Sequence, residues 1–419
     1  MDKALKYIAQ FGTAFCLMAL VWSCAKIPGL QEEKNGEYIR IPFVRVLLEE
    51  NKAEFTVTAE ESFAIECLKE GTQSIFYSAQ PIKIINQGNF VKVMNHKGNI
   101  IAEHLDEANI LPRGNNNKLI VLDKKFRGIM KFLPQGGNVQ LINIIYMEDY
   151  LRGVVPPELG KRKESEIEAV KAQAVAARTY AMAHLKQYSN QPYDMKSSII
   201  DQVYGGASVE LKIVNRAIDE TAGQVLYYQD DYVNAYYHST CGGMTDNIEQ
   251  VWERKESPYL KAAKDDDACS WSKYFRWKEH FTEQQIRNRI EQYLSSDRGK
   301  DLRIAKIKDI KIVGRTPGGR VSVMKVTTEN DIFKFKKDRI RWVLGRTSNP
   351  DLILPSDNFD VHITKAQDGY IDAVTFSGKG YGHGVGMCQC GAIGLSRQGW
   401  NFIDILKRYY TDVEIKKLY

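Results

Sequence analysis

Several familiar chemical signatures are missing from this chain of 419 residues. There is no His-Glu-x-x-His pair to hold a protease zinc, and the short Cys/His spacing of a strong tetrahedral zinc motif is absent. No Gly-Lys-Ser/Thr ending marks a phosphate loop. The glycine-rich stretch also fails the dinucleotide pattern, because His383 stands three residues after Gly380 and Gln389 three after Gly386. Internal repeats and low-complexity tracts are absent, which excludes solenoids and disordered arrays. Basic residues are scattered without interleaved aromatics, so no nucleic-acid partner is expected. The apolar stretch from Phe11 to Trp22 is shorter than the roughly 20 residues of a membrane span.

What is present fits a soluble protein of two or three domains: 43% hydrophobic and 26% charged residues. A net charge of +6 suits a polyanionic neighbour such as a cell-wall glycan or a membrane surface. Residues 1–24 read as an export signal, with Lys3 and Lys6 ahead of the apolar stretch and Val21-Trp22-Ser23-Cys24 at its end. A small residue before cysteine is the pattern of a bacterial lipoprotein, which makes Cys24 the expected lipidation site and tethers the chain to a membrane outside the cytoplasm. Trp22 fits that box poorly, which leaves plain cleavage or an uncleaved anchor open. Residues 25–36, with Pro28 and Gly29, read as a polar tether.

Export changes the cysteine arithmetic. With Cys16 removed and Cys24 lipidated, Cys67, Cys241, Cys269, Cys388 and Cys390 remain, an odd number in an oxidising space. A Cys241–Cys269 disulfide is the expected pairing; free thiols throughout are the alternative.

Residues 37–145 alternate short β-rich runs with turns, among them Phe43–Leu48, Phe63–Ile65, Phe90–Val93 and Val139–Ile145, and predict a mostly β unit. Residues 146–419 predict a mixed body. It contains a hairpin from Gln224–Gln229 and Tyr232–His238, a helix at Thr282–Leu294, strands at Ile304–Val313, Arg320–Thr327 and Asp331–Phe335, and helices at Cys390–Arg397 and Phe402–Tyr410. The fold class expected is α+β.

Two clusters carry chemistry. In Val155-Pro156-Pro157-Glu158, proline restricts the backbone, so the sequence predicts a stiff turn presenting the Glu158 carboxylate in a narrow range of directions. Ser165 and Glu168 then predict a capping box, followed by an alanine-rich helix whose small face admits a close neighbour. Arg178 lies on or beside that face and needs a carboxylate or several carbonyls; Glu158 is one candidate. The plain alternative for Glu158 is an exposed helix-start glutamate. The second cluster is Gly378–Ala392, where five alternating glycines predict an extended segment with one bare face for another backbone or a flat ligand. His383 is its titratable group, read either as a site residue or as a hydrogen-bonded structural histidine.

These segments, with Asp201-Gln202-Val203-Tyr204-Gly205-Gly206 and His238-Ser239-Thr240-Cys241-Gly242-Gly243, resemble in order the stage II sporulation protein D (SpoIID) family and its LytB-like amidase enhancers, which act on bacterial peptidoglycan. The resemblance runs from about Ile39 to the C-terminus. It implies a catalytic body with a groove and Glu158 as catalytic acid. A lone glutamate suits a lytic transglycosylase better than a hydrolase, which needs two carboxylates. In lytic cleavage of MurNAc-GlcNAc glycan the C6 hydroxyl of the sugar attacks, giving a 1,6-anhydro end. The acid must be protonated near neutral pH, and a direct ion pair opposes that, so Arg178 is read as holding the loop or a substrate carboxylate. Gln202, Tyr204, His238, Ser239, Thr240, His383 and Gln389 are the expected sugar-binding groups, with Tyr381 and Trp252 as aromatic platforms. A non-catalytic enhancer of a cell-wall amidase is the second reading, and a metal amidase using His238 and His383 the third. Cys-Gln-Cys at 388–390 departs from relatives, which more often show serine and tyrosine. No cofactor is expected. Because the family includes zinc-containing members, zinc on His238, Cys241, Cys269 and Cys388 is the alternative.

Overall fold

The computed structural model describes residues 30–32, 38–114, 116–198, 200–349 and 351–419. The expected signal segment and Cys24 lie outside them. Within the expected tether, Leu30–Glu32 pairs antiparallel with Tyr38–Arg40. The fold is α+β, with strand (37%) exceeding helix (24%). The chain forms two compact units: one of the residues up to Gly153 with Leu185–Ser208 and Tyr419, the other of Val154–His184 and Val209–Leu418.

The first unit is built on two sheets. One orders Met195–Lys196, Phe43–Lys52, Asn138–Tyr146, Ile129–Gln135, Glu107–Pro112, Phe63–Lys69 and Thr72–Ser78; only the Met195 strand joins in parallel. The other orders Lys124–Phe126, Leu119–Val121, Glu54–Ala59, Ile82–Gln87, Phe90–Asn95 and Ile100–Leu105. Period-two alternation buries Val44, Val46, Phe55, Val57, Ile82, Ile84, Val91 and Val93 between them. Phe55 packs on Phe132 with ring centroids 5.7 Å apart.

Helix α1, Met147–Leu159, leaves the last strand of this unit, and its residues from Val154 onward belong to the second unit. The predicted proline turn is therefore the last turn of a helix. Pro156 and Pro157 lack the N–H groups that close such a turn. The freed Gly153 carbonyl accepts instead from the Gly205 N–H at 3.0 Å. The helix ends on Gly160, in the left-handed region at φ +73, whose N–H reaches the Pro156 carbonyl at 2.8 Å.

In the second unit, α2 spans Ile167–His184 and is buried around nearly its whole circumference from Ala169 to Ala181. Its start differs from the predicted Ser165/Glu168 box. Glu166 supplies the carboxylate, accepting from the Lys163 N–H at 2.9 Å, while Glu168 accepts from the Phe402 N–H at 2.9 Å. Helix α3 is Lys212–Glu220. The predicted Tyr232–His238 strand is broken: Asp231–Tyr232 pairs with Gln224–Tyr228, whereas Tyr237–His238 pairs in parallel with Met387–Cys388. Helix α4, Glu283–Arg298, stands where a helix at Thr282–Leu294 was expected, opens on a Thr282/Gln285 capping box and closes on Gly299 at φ 64. It covers two three-stranded sheets through a core including Ile286, Ile290, Met324, Val326, Phe359 and Phe376. Helices α5, Gln389–Arg397, and α6, Phe402–Tyr409, complete the unit.

Candidate functional site

Glu158 is half-buried in the final turn of α1, ahead of the glycine that terminates it. The carbonyl end of a helix is its negative pole, so this placement opposes a carboxylate rather than favouring one, as a helix start would. The helix-start reading of Glu158 is thereby removed. Arg178 is fully buried within α2 and donates from Nη1 to the Gln224 carbonyl at 3.0 Å, which fixes the adjoining strand. Of its two predicted roles, this contact serves the holding one; as a direct substrate contact the side chain has no exposed surface.

Several expected sugar ligands belong to the packing. Gln202 is buried and accepts from the Tyr150 hydroxyl at 3.1 Å. Tyr204 is buried, donates its hydroxyl to Asn143 Oδ1 at 2.8 Å, and lays its ring over Gly153, where an added Cβ would meet it at 2.4 Å. The Asp-Gln-Val-Tyr-Gly-Gly segment therefore shapes α1 from within the first unit. Thr240 is buried, its hydroxyl 2.9 Å from that of Ser272. Gln389 is buried, 3.4 Å from Gln173 across α5 and α2. Ser239 and His383 keep partial exposure, as do Tyr381, its ring tilted against that of Tyr274 with centroids 4.3 Å apart, and Trp252.

The glycine run departs from the extended geometry expected. Gly380, Gly382, Gly384 and Gly386 all have positive φ. The bare face meets protein: a Cβ on Gly386 would lie 2.0 Å from the Tyr236 carbonyl, and one on Gly384 would lie 2.2 Å from Arg320 Nε. Another backbone fills the place left open for a flat ligand.

The two histidines are structural in geometry. His383 Nε2 lies 2.9 Å from the Tyr237 carbonyl and Nδ1 3.1 Å from the Val385 N–H. Together these bonds require a neutral ring protonated on Nε2. Burial pushes its pKa down to about 4, partly opposed by Asp338. His238, buried 5.3 Å from His383 between ring centroids, contacts the Val385 carbonyl at 3.2 Å and is held well below its ordinary value, first by burial and then by His383.

One constellation went unread in the sequence, and another was read only in part, as a disulfide or as zinc ligands with His238. Arg320, Asp357 and Asp246 form a buried ion cluster beneath the glycine run. Cys241, Cys269, Cys388 and Asp265 form a second, with ligand atoms within 4.8 Å of one another. The predicted disulfide is not formed: the Cys241 and Cys269 sulfurs stand 3.6 Å apart, against about 2.05 Å for a bond. The sulfurs are instead spread around a common centre with Cys388 and Asp265. His238 is not part of it. Burial pushes the Cys241 and Cys388 thiols up and Asp265 up to about 7, whereas thiol hydrogen bonds, Cys241 first, pull Cys269 down. The acidic run Asp265-Asp266-Asp267 before Cys269 was the available sequence signal.

A stage II sporulation protein family model matches residues 135–228, which include α1 and α2, and a domain of unknown function (DUF8618) matches residues 268–386. The stage II sporulation protein D of Bacillus amyloliquefaciens is 31% identical over 289 residues, covering 65% of this chain and 75% of that protein. The chain belongs to the stage II sporulation protein D family. An uncharacterized protein of Brachyspira hyodysenteriae is 32% identical over 292 residues, 70% of this chain and 72% of its own length. The amidase enhancer of Bacillus subtilis (strain 168) is 31% identical over 291 residues, covering 62% of this chain but only 39% of that protein. Glu158 and Arg178 fall inside the span of the sporulation-protein model, and His383 inside that of the domain of unknown function.

Proposed function

We propose that this protein is an envelope enzyme that cleaves peptidoglycan glycan strands as a lytic transglycosylase, with Glu158 as the single acid and base. The placement of Glu158 supports this reading most directly: a half-buried carboxylate at the negative end of a proline-stiffened helix, within the span that matches the family. The Glu158 carboxyl gives its proton to the glycosidic oxygen as the C1–O bond breaks. The resulting carboxylate takes the proton of the MurNAc C6 hydroxyl as that oxygen bonds to C1. Glu158 is restored, a 1,6-anhydro end forms, and no water or second carboxylate is consumed. Ser239, His383, Tyr381 and Trp252 are the partly exposed groups of the expected set, and of these Ser239, Tyr381 and Trp252 are suited to contact sugars, His383 being held by the Tyr237 carbonyl and the Val385 N–H.

Similarity to the amidase enhancer of Bacillus subtilis supports a second reading, in which the protein binds glycan or an amidase and stimulates the amidase without cleaving glycan. Incubating the exported part with glycan strands stripped of peptides and analysing products by mass spectrometry decides between them. Anhydro ends establish the first reading; intact glycan with stimulation of an added amidase establishes the second. In either case we place the chain outside the cytoplasm, tethered through lipid at Cys24. Among the described residues no helix is long and apolar enough to cross a membrane.

A further inference from the structure

We propose that Cys241, Asp265, Cys269 and Cys388 hold one zinc ion in a closed, four-ligand structural site. All four residues are buried, and their ligand atoms converge within 4.8 Å. They come from separate segments: the Cys241-Gly242-Gly243 turn, the loop at 265–269 and the N-cap of α5. Zinc–sulfur bonds of about 2.3 Å at the tetrahedral angle place two thiolates about 3.8 Å apart. The Cys241 and Cys269 sulfurs stand at 3.6 Å, and the Cys241 sulfur lies 2.9 Å from Asp265 Oδ2.

The surroundings are prepared for thiolates. Cys388 Sγ accepts from the N–H groups of Gly391 and Cys241, each at 3.2 Å, and Cys241 Sγ accepts from the Gly243 N–H at 3.3 Å. Such N–H donors fix the ligands from outside the first coordination layer. The loop is anchored beneath them by the Asp265 N–H to the Gly243 carbonyl at 3.1 Å. Gly391 is needed for space: a Cβ there would lie 2.9 Å from Asp265 Oδ2 and 2.1 Å from the Tyr409 hydroxyl. Asp265 Oδ1 and Tyr409 Oη are both buried without a hydrogen-bond partner among the described residues. Orphaned polar atoms at such a cluster point to a group that completes it.

The donor chemistry selects the metal. Three thiolates and one carboxylate are too soft for magnesium or calcium and suit tetrahedral zinc. Four protein ligands leave no position for water, so the ion is structural. It would clamp the segment carrying Ser239 and Thr240 to α5, whether or not Glu158 is catalytic. Cys388 completes the set.

The test is metal analysis of the purified exported chain after dialysis, with cobalt substitution as a second readout. About one zinc per chain is expected, and the cobalt form should show thiolate-to-metal charge-transfer absorption. Cys388→Ser should lower zinc affinity by more than the roughly 10- to 100-fold that loss of an outer partner costs, while Cys390→Ser retains the metal. A folded wild-type chain that neither carries nor takes up added zinc overturns the proposal. So does peptide mapping that finds Cys241 joined to Cys269. If Cys388→Ser is insoluble, the wild-type zinc content and cobalt spectrum decide.

Discussion

The guanidinium of Arg320 lies 2.7 Å from Asp357 Oδ1 and 3.3 Å from Asp246 Oδ2, with all three side chains buried. Asp246 also accepts from the Gly318 N–H at 2.7 Å and the Thr316 hydroxyl at 2.8 Å, so its lone pairs are well used. From the same cluster the Asp246 N–H reaches the Gly384 carbonyl at 2.8 Å, and Arg320 donates to the Gly382 carbonyl at 3.3 Å. The glycine run is thus shaped from below by a charge cluster, and glycine at 384 is what lets the guanidinium approach.

Arg320→Met should therefore destabilise the second unit by about 3–5 kcal/mol, because two buried carboxylates lose their cation. Burial already raises both acids, and in the variant they would be held protonated. The folded variant then binds more protons than the unfolded chain, so its stability should fall further as pH rises. Urea titrations at two pH values measure both effects. A loss under about 1 kcal/mol would show that the cluster contributes little net stability.

Local patterning made most of this fold legible in the sequence. Alternation marked the strands of the first unit at Phe43–Leu48, Phe63–Ile65 and Phe90–Val93, and a helix runs where Thr282–Leu294 was expected to form one. Pro156-Pro157 misled because proline is read as a breaker, yet the orphan Gly153 carbonyl finds Gly205, some fifty positions along the chain. The exposed-looking Gln202, Tyr204, Thr240 and Gln389 are buried by the same kind of distant packing, which no local window reveals. Asp265 was missed for a related reason: its partnership with Cys241, Cys269 and Cys388 exists only once those segments converge.

Lipid tethering at Cys24 predicts that Cys24→Ala moves the protein from the membrane pellet to the soluble fraction. Mass spectrometry of the mature N-terminus should find a diacylglycerol-modified cysteine. A variant that still pellets after a carbonate wash would point to an uncleaved apolar anchor instead.

The His383 ring gives the second unit a pH dependence of known sign. Burial holds its pKa down to about 4, with Asp338 opposing and Arg341 and Arg320 assisting, against about 6.5 in an unfolded chain. In that window the unfolded state binds more protons, so this part of the stability is present above about pH 6.5 and lost as pH falls toward 4. His383→Gln removes the term. Its unfolding free energy from urea titration should therefore decline less than that of the wild type between about pH 7.5 and about pH 5, by at most about 1.4 kcal/mol per pH unit. His238, shifted in the same direction chiefly by burial, remains in both proteins, so only the smaller part of its shift that His383 causes changes with the substitution. Parallel pH curves would mean that His383 is not held neutral.

Glu158→Gln tests the catalytic reading. Glutamine keeps the shape and a carbonyl acceptor but has no proton for the glycosidic oxygen. General acid catalysis contributes roughly 100- to 10,000-fold, so formation of anhydro ends should fall near background. Binding to glycan strands, measured by co-sedimentation, should persist, because the amide can still hydrogen bond. The thermal midpoint separates the remaining explanations. If it drops by many degrees, the carboxylate holds the end of α1, and the lost activity reflects misfolding. If the folded variant turns over glycan at the wild-type rate, Glu158 is not the acid. Unchanged glycan binding and stability with no anhydro product would leave proton transfer as the one function removed.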